Sequence, residues 1–500
     1  MYAPLGRVLK TAYERLKQQN RREIIMPEQE SCVSGSIKLG MPKIKKSAPI
    51  SKYPLSSTQT GIFFLSQMNH SGLALELCYQ LILRGIPDDA ALEKALYALE
   101  ERHPVLKTRF VLDEGKAWQY IVSNQKLNIS YYNFLHLTSI ERNSKLKQII
   151  QTELEQSFQI FDSPLVHYCL IRYAADRTII LLKVHHLITD GFSFEILHRH
   201  FAEFYNQYHK GGTLISSDES TYSDYVCWEN ELTDTKYYQE SKSFWEKTVK
   251  PKCDPLELAS DFPRPYPRQY TGSIFEQQLD QTSKKQLIHL GIQRSVSLAT
   301  VLLTALAIVL YKHSGQNDFY IGVVVNGRSN LPQLRNIVGV FSKILPIRLT
   351  FDPNMKIGDL LQYVNMQLTE SLDHQLYPTH EIINMNSNQK SADFAPLYRV
   401  LFNMQQTEKT EIDWDGLKEE QWSKLDANSS MYDLAVHVFD NNECLKLKIE
   451  YCTALFTEVT VSYIVRHFKK ILSDISFALD MPIHHFDVLD NNEKELLRQF

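Results

Sequence analysis

Several features that would place a chain in a large class are missing from this sequence. Its seven cysteines (Cys32, Cys78, Cys169, Cys227, Cys253, Cys444 and Cys452) are odd in number, scattered, and never form Cys-x-x-Cys. That argues against a disulfide framework or a zinc ribbon and fits a reducing, cytoplasmic setting. There is no basic surplus: 54 Lys and Arg face 58 Asp and Glu, a formal net charge of −4, so a dedicated nucleic-acid binder is not expected. No apolar run is long enough for a membrane span. The longest, LATVLLTALAIVLY at Leu298–Tyr311, falls short of the roughly 20 residues a bilayer requires and reads as a buried helix. The opening MYAPLGRVLKTAYERL has no signal-peptide core.

What is present is an ordinary globular composition, 43% hydrophobic and 22% charged over 500 residues. A single core stops growing at roughly 250–300 residues, so two lobes are expected. Residues 1–52 read as a basic helix, with Leu5, Val8, Leu9, Ala12 and Leu16 at helical spacing, followed by a polar linker. Residues 53–250 form a first lobe, 251–270 a Pro-rich crossing, 271–490 a second lobe, and 491–500 a lead-in to a following domain. Strands are predicted at Tyr79–Arg84, Ala117–Val122, Pro164–Tyr173, Thr178–Val184, Phe319–Val325, Lys343–Thr350, Tyr398–Met404, Asp433–Asp440 and Leu445–Tyr451. Helices are predicted at Asp88–Arg102, Ile140–Phe158, behind Gly191, at Ser283–Gln293, at Ala299–His313 and at Thr457–Leu472. Strands and helices interleave in both halves, which predicts an α/β (α+β) protein of two lobes.

The chemistry-bearing segment is KVHHLITDGFS, Lys183–Ser193. It sets two histidines at the end of an apolar strand, then an aspartate and a glycine where a helix begins. Successive strand residues face opposite ways, so only one of His185 and His186 enters a given cleft while the other packs into the scaffold. Asp190 is within reach to hold the loop in shape, and Gly191 permits a tight turn. Asp190 or Ser193 could equally be a plain helix N-cap. No third and fourth ligand stands at zinc spacing, so no metal is expected. No Ser or Cys sits in a nucleophile elbow, which points to direct transfer with a positioned base. A second His pair, His484 and His485 in MPIHHFDVLD, has no Asp-Gly after it and is assigned no function.

VHHLITDGFS resembles the HHxxxDG signature of the condensation domains of nonribosomal peptide synthetases. Other segments resemble that family's motifs in the same order: YPLSSTQTGIFFL (53–65), ERHPVLKTRF (101–110), TYSDYVCWENE (221–231), IGVVVNGRSNLPQLRNIVGVFSKILPIRL (321–349) and HQLYPTHEII (374–383). The resemblance runs from about residue 53 to about 495. Departures occur in the second motif, where Pro104 and Lys107 replace the usual Glu and Arg, and in the fifth, where Phe341-Ser342-Lys343-Ile344 stands for Phe-Val-Asn-Thr.

The resemblance implies two chloramphenicol-acetyltransferase-like lobes in a V-shaped pseudo-dimer around a central tunnel. It implies peptide bond formation between a donor thioester and an acceptor amine, with His186 catalytic and His185, Asp190 and Gly191 supporting the loop. It also implies that an Arg of the second motif pairs with Asp190, for which Arg102, Lys107 and Arg109 are the candidates. No cofactor is bound by the domain itself: substrates arrive on the 4'-phosphopantetheine arms of an upstream donor and a downstream acceptor carrier, beside an adenylation domain. The excised chain is expected to be monomeric. His185 excludes a heterocyclization domain, which has Asp there. An epimerization domain, a free-standing acyltransferase and a catalytically silent carrier-recruiting module remain the alternatives.

Overall fold

The computed structural model describes residues 44–46, 52–67, 75–213, 219–249, 251, 253–328, 331–386, 397–406, 412–490 and 493–495. The helix expected over 1–23 lies outside the described residues, as do 24–43, 47–51, 491–492 and 496–500.

The first half runs β1 (Tyr53–Pro54), α1 (Ser57–Gln67), β2 (Glu76–Arg84), α2 (Asp89–Arg102), β3 (Thr108–Asp113), β4 (Lys116–Ile121), β5 (Ile129–Asn133), α3 (Ser139–Glu155), β6 (Val166–Ala174), β7 (Arg177–His185), α4 (Gly191–His209), α5 (Tyr222–Glu231) and α6 (Lys236–Val249). The second half runs β8 (Gly272–Leu279), α7 (Gln281–Arg294), α8 (Leu298–Ser314), β9 (Asp318–Val325), β10 (Lys343–Thr350), α9 (Ile357–Asp373), α10 (Thr379–Met385), β11 (Val400–Gln406), β12 (Lys418–Leu425), β13 (Leu434–Asp440), β14 (Leu445–Cys452) and α11 (Glu458–Asp474).

Each half is built around one large sheet. The first has strand order β12-β2-β7-β6-β5, the second β10-β9-β11-β13-β14-β8, and β1-β4-β3 form a small third sheet. β7 is central and covered on both faces, which is why it reads as an unbroken apolar run. Ile180, Leu182 and Val184 enter the core beneath α2 and α4, while Ile179 and Leu181 enter the smaller core beneath α3. In the second half α8 is apolar all round and buried from Thr300 to Leu310, as expected of a helix enclosed by a core. Ser297 caps its start through the Thr300 N–H at 3.0 Å, and Gly315, at φ +71°, ends it in the left-handed conformation.

The halves are not separate along the chain. β12 leaves the second half and pairs antiparallel with β2, from Lys418 opposite Arg84 to Leu425 opposite Cys78. Reading 271–490 as one lobe misses this, because KEEQWSKL is too polar to signal a strand and owes its order to its partner. Leu334, Ile337, Val338, Val340 and Phe341 likewise pack into the first half's core. The second half's sheet turns Val400, Phe402, Val436, Val438, Leu447 and Ile449 inward. By alternation its other face carries Asn403, Gln405, His437, Lys448 and Glu450.

Candidate active site

β7 ends at His185, and the next five residues form the loop that starts α4. The two histidines separate as alternation requires. His185 is buried; its Nδ1 accepts the Leu187 N–H at 3.0 Å. Burial, then the neighbouring His186 and Lys183, push its pKa down to about 3, so it is a neutral scaffold group. His186 is half-buried. Its N–H donates to the Leu75 carbonyl at 2.8 Å, fixing the backbone. Its ring Nδ1 lies 2.7 Å from the Thr189 carbonyl oxygen. A carbonyl can only accept, so Nδ1 bears the hydrogen and Nε2 is left with a free lone pair. Burial lowers the pKa of this imidazole, against the opposing pull of Asp190 and the Thr189 carbonyl. The ring is therefore neutral, in one tautomer, with its basic nitrogen facing away from the loop.

Asp190 anchors this geometry. It is the N-cap of α4, accepting from the Ser193 N–H at 2.9 Å, so the capping reading of the sequence is correct as far as it goes. The same carboxylate joins the two halves. Arg328 grips both oxygens, Nη1 to Oδ2 at 2.8 Å and Nη2 to Oδ1 at 3.1 Å. The Phe341 and Ser342 N–H groups add bonds of 2.9 and 3.1 Å to Oδ2. Burial alone would raise this carboxyl, but the Arg328 charge and the N–H donors outweigh it and hold the pKa at about 2. Arg328, itself 2% exposed, also packs its guanidinium over the Phe341 ring at 4.3 Å.

Two glycines allow the fifth-motif segment to come this close. A Cβ on Gly327, at φ +72°, would meet the Phe341 carbonyl oxygen at 2.1 Å. One on Gly339 would meet the Tyr222 ring at 2.0 Å. The Gly339 backbone bonds the Ser193 hydroxyl in both directions, accepting at 2.7 Å and donating at 3.0 Å.

Arg102, Lys107 and Arg109 are not the partners of Asp190. Arg102 pairs with Glu219, Lys107 with Glu101 at 2.6 Å, and Arg109 with Gln125. Asp190 is already saturated by Arg328 and the Phe341–Ser342 backbone, which leaves no acceptor for a second-motif cation. Arg328 stands within the fifth-motif segment, but nothing in the sequence gives it this task. Nothing local links residues 138 positions apart.

The altered fifth-motif residue Lys343 has its own compensation. Its ammonium lies 3.2 Å from Glu229, which also accepts from the Ser57 N–H and hydroxyl at 2.7 Å each and from the Tyr225 hydroxyl at 2.8 Å. A second buried ion pair thus ties the halves together, at the start of α1.

A family model described as "Condensation domain" matches residues 50–498. The chain belongs to the condensation domain family. Tyrocidine synthase 3 of Brevibacillus parabrevis is 27% identical over 445 residues, 89% of this chain but 7% of that protein, so the condensation domain spans a small part of this relative. Among solved structures, the X-domain in complex with OxyB from teicoplanin biosynthesis superposes with a TM-score of 0.82 at 20% identity, covering 91% of this chain and 99% of that one. The starter condensation domain of rhizomide synthetase RzmA, in complex with C8-CoA and Leu-SNAC, gives 0.73 at 20% identity, covering 88% and 98%. At that identity the likeness establishes the fold, the two-lobed chloramphenicol-acetyltransferase-like architecture that the motifs imply.

Proposed function

We propose that this condensation domain forms an amide bond between a donor acyl or peptidyl thioester and an acceptor amine. Both would be presented on the phosphopantetheine arms of carrier domains next to an adenylation domain. The observation that carries this reading is the Nε2 lone pair of His186, held by the 2.7 Å bond from Nδ1 to Thr189. As the acceptor nitrogen attacks, a C–N bond forms and the C–S bond breaks. Nε2 takes the proton the amine sheds and returns it to the departing thiolate. The first-turn N–H groups of α4 at Gly191 face the oxyanion with the positive end of the helix. An α-amine has a pKa of about 7.7–8.0, so much of the acceleration comes from placing the two reactants together.

His186→Ala, assayed for product between two loaded carriers by mass spectrometry, should lose about 10²–10⁴-fold in rate, the usual share of general acid–base catalysis. Unchanged turnover removes His186 from the mechanism. Carriers that bind the wild-type chain without ever giving product would identify the silent recruiting module instead.

A further inference from the structure

The outward face of the second half's sheet continues the wall that starts at His186. A Cβ on Gly191 would lie 3.9 Å from Nε2 of Gln405, so β11 reaches the loop itself. Two residues back on the same face, Asn403 Nδ2 donates to Nδ1 of His437 at 3.1 Å. Nε2 of His437 therefore bears the hydrogen and is a donor. Burial, and then Lys424 and Lys448, push this imidazole down to about 3, so it stays neutral.

Lys424, exposed on β12, closes the group. On the first half's sheet it stands opposite Tyr79, which stands opposite Leu182 of β7, on the face that His186 shares by alternation. Its charge is felt by His186, His437 and Glu450 alike. Asp426 is taken by Lys448 at 2.6 Å, and among the described residues no carboxylate is within ion-pair distance of Lys424. Glu450 shares this wall and feels the Lys424 charge without reaching ion-pair distance, while burial raises its pKa. An ammonium and an imidazole N–H on one wall suit a ligand group that only accepts.

We infer that this wall is a specificity site for a carboxylate carried by one of the two substrates, with Lys424 pairing its charge and His437 Nε2–H donating to it. The inference rests on His186 as the reaction centre, and its test separates the two. Phosphate-free thioesters of N-acetylcysteamine serve as probes. N-acetylglutamyl and N-acetylglutaminyl thioesters stand for the donor, and the free-amine glutamyl and glutaminyl thioesters for the acceptor. Binding to the full chain is read by calorimetry. In one of the two arms the acid should bind about tenfold tighter than its amide, the scale of a charge-assisted hydrogen bond. Lys424→Ala should erase that preference, and Lys424→Glu should turn it toward the amide. His186→Ala should keep the preference while losing product; product formed by His186→Ala would overturn the reaction centre and not the specificity. Equal binding of acid and amide in both arms, no binding of either, or an undiminished preference in Lys424→Ala overturns the inference.

Discussion

The chain contains two His-His pairs, and they have almost nothing else in common. His185-His186 closes a buried central strand. One ring is sealed in the scaffold, and the other is fixed by a 2.7 Å bond to a carbonyl three residues on. His484-His485 lies in a single 3-10 turn, Ile483–His485, with both side chains exposed. His484 Nδ1 also meets a carbonyl, that of Pro353 at 3.0 Å. A ring bonded to a backbone oxygen is therefore not a distinguishing mark. The difference is what lies behind the ring: a loop held across the molecule by Asp190 and Arg328 in one case, solvent in the other.

Removing that anchor should do the most to erase the difference between the two pairs. Arg328→Ala leaves the Asp190 carboxylate buried with its counter-charge gone, a loss expected to cost about 3–5 kcal/mol. Denaturant midpoints of wild type and variant would measure it. Arg328→Lys keeps the charge but loses the two-point grip, so it should fall between them. If Arg328→Ala unfolds at the wild-type midpoint, Asp190 does not hold the loop, and His186 is no better placed than His484.

A smaller effect should appear with pH. Asp190 has a pKa of about 2 in place of its usual 3.8, so the folded state binds the proton less well than the unfolded chain. Its contribution is complete above the unfolded value and is lost as pH falls through the folded one. The loss amounts to roughly 2 kcal/mol between about pH 4.5 and pH 2. Stability measured over that window in wild type and Asp190→Asn should differ in slope. Parallel curves would mean that Asp190 is not a buried, paired carboxylate.

What the sequence reveals follows from how local each cause is. β7 and α8 are legible because continuous apolar residues are their own signal, and the predicted Lys343–Thr350 strand matches β10 residue for residue. The capping role of Asp190 is legible because its Ser193 partner is three positions away. β12 is not legible, since Trp422 and Leu425 alone are apolar in KEEQWSKL and its order comes from β2 across the molecule. The Arg328 grip fails to show for the same reason. The motif resemblance directs attention to Arg102, Lys107 and Arg109, whose own partners Glu219, Glu101 and Gln125 are equally invisible in sequence. The Lys343–Glu229 pair belongs with these: two departures from an apolar interior that make sense only together.

The smallest expected effect sharpens the contrast from the other side. His484→Ala removes one exposed hydrogen bond to Pro353 and leaves the Lys312 contact in place, because Lys312 donates to the His484 backbone carbonyl at 2.9 Å. Surface substitutions of this kind stay within about 0.5 kcal/mol. Product formation should be that of wild type, since the side chain is exposed and has no part in the His186 loop. A loss of turnover in His484→Ala with the fold intact would show that a histidine needs neither a strand end nor a buried carboxylate to matter in this chain. The surroundings of His186 would then no longer set it apart from the exposed pair.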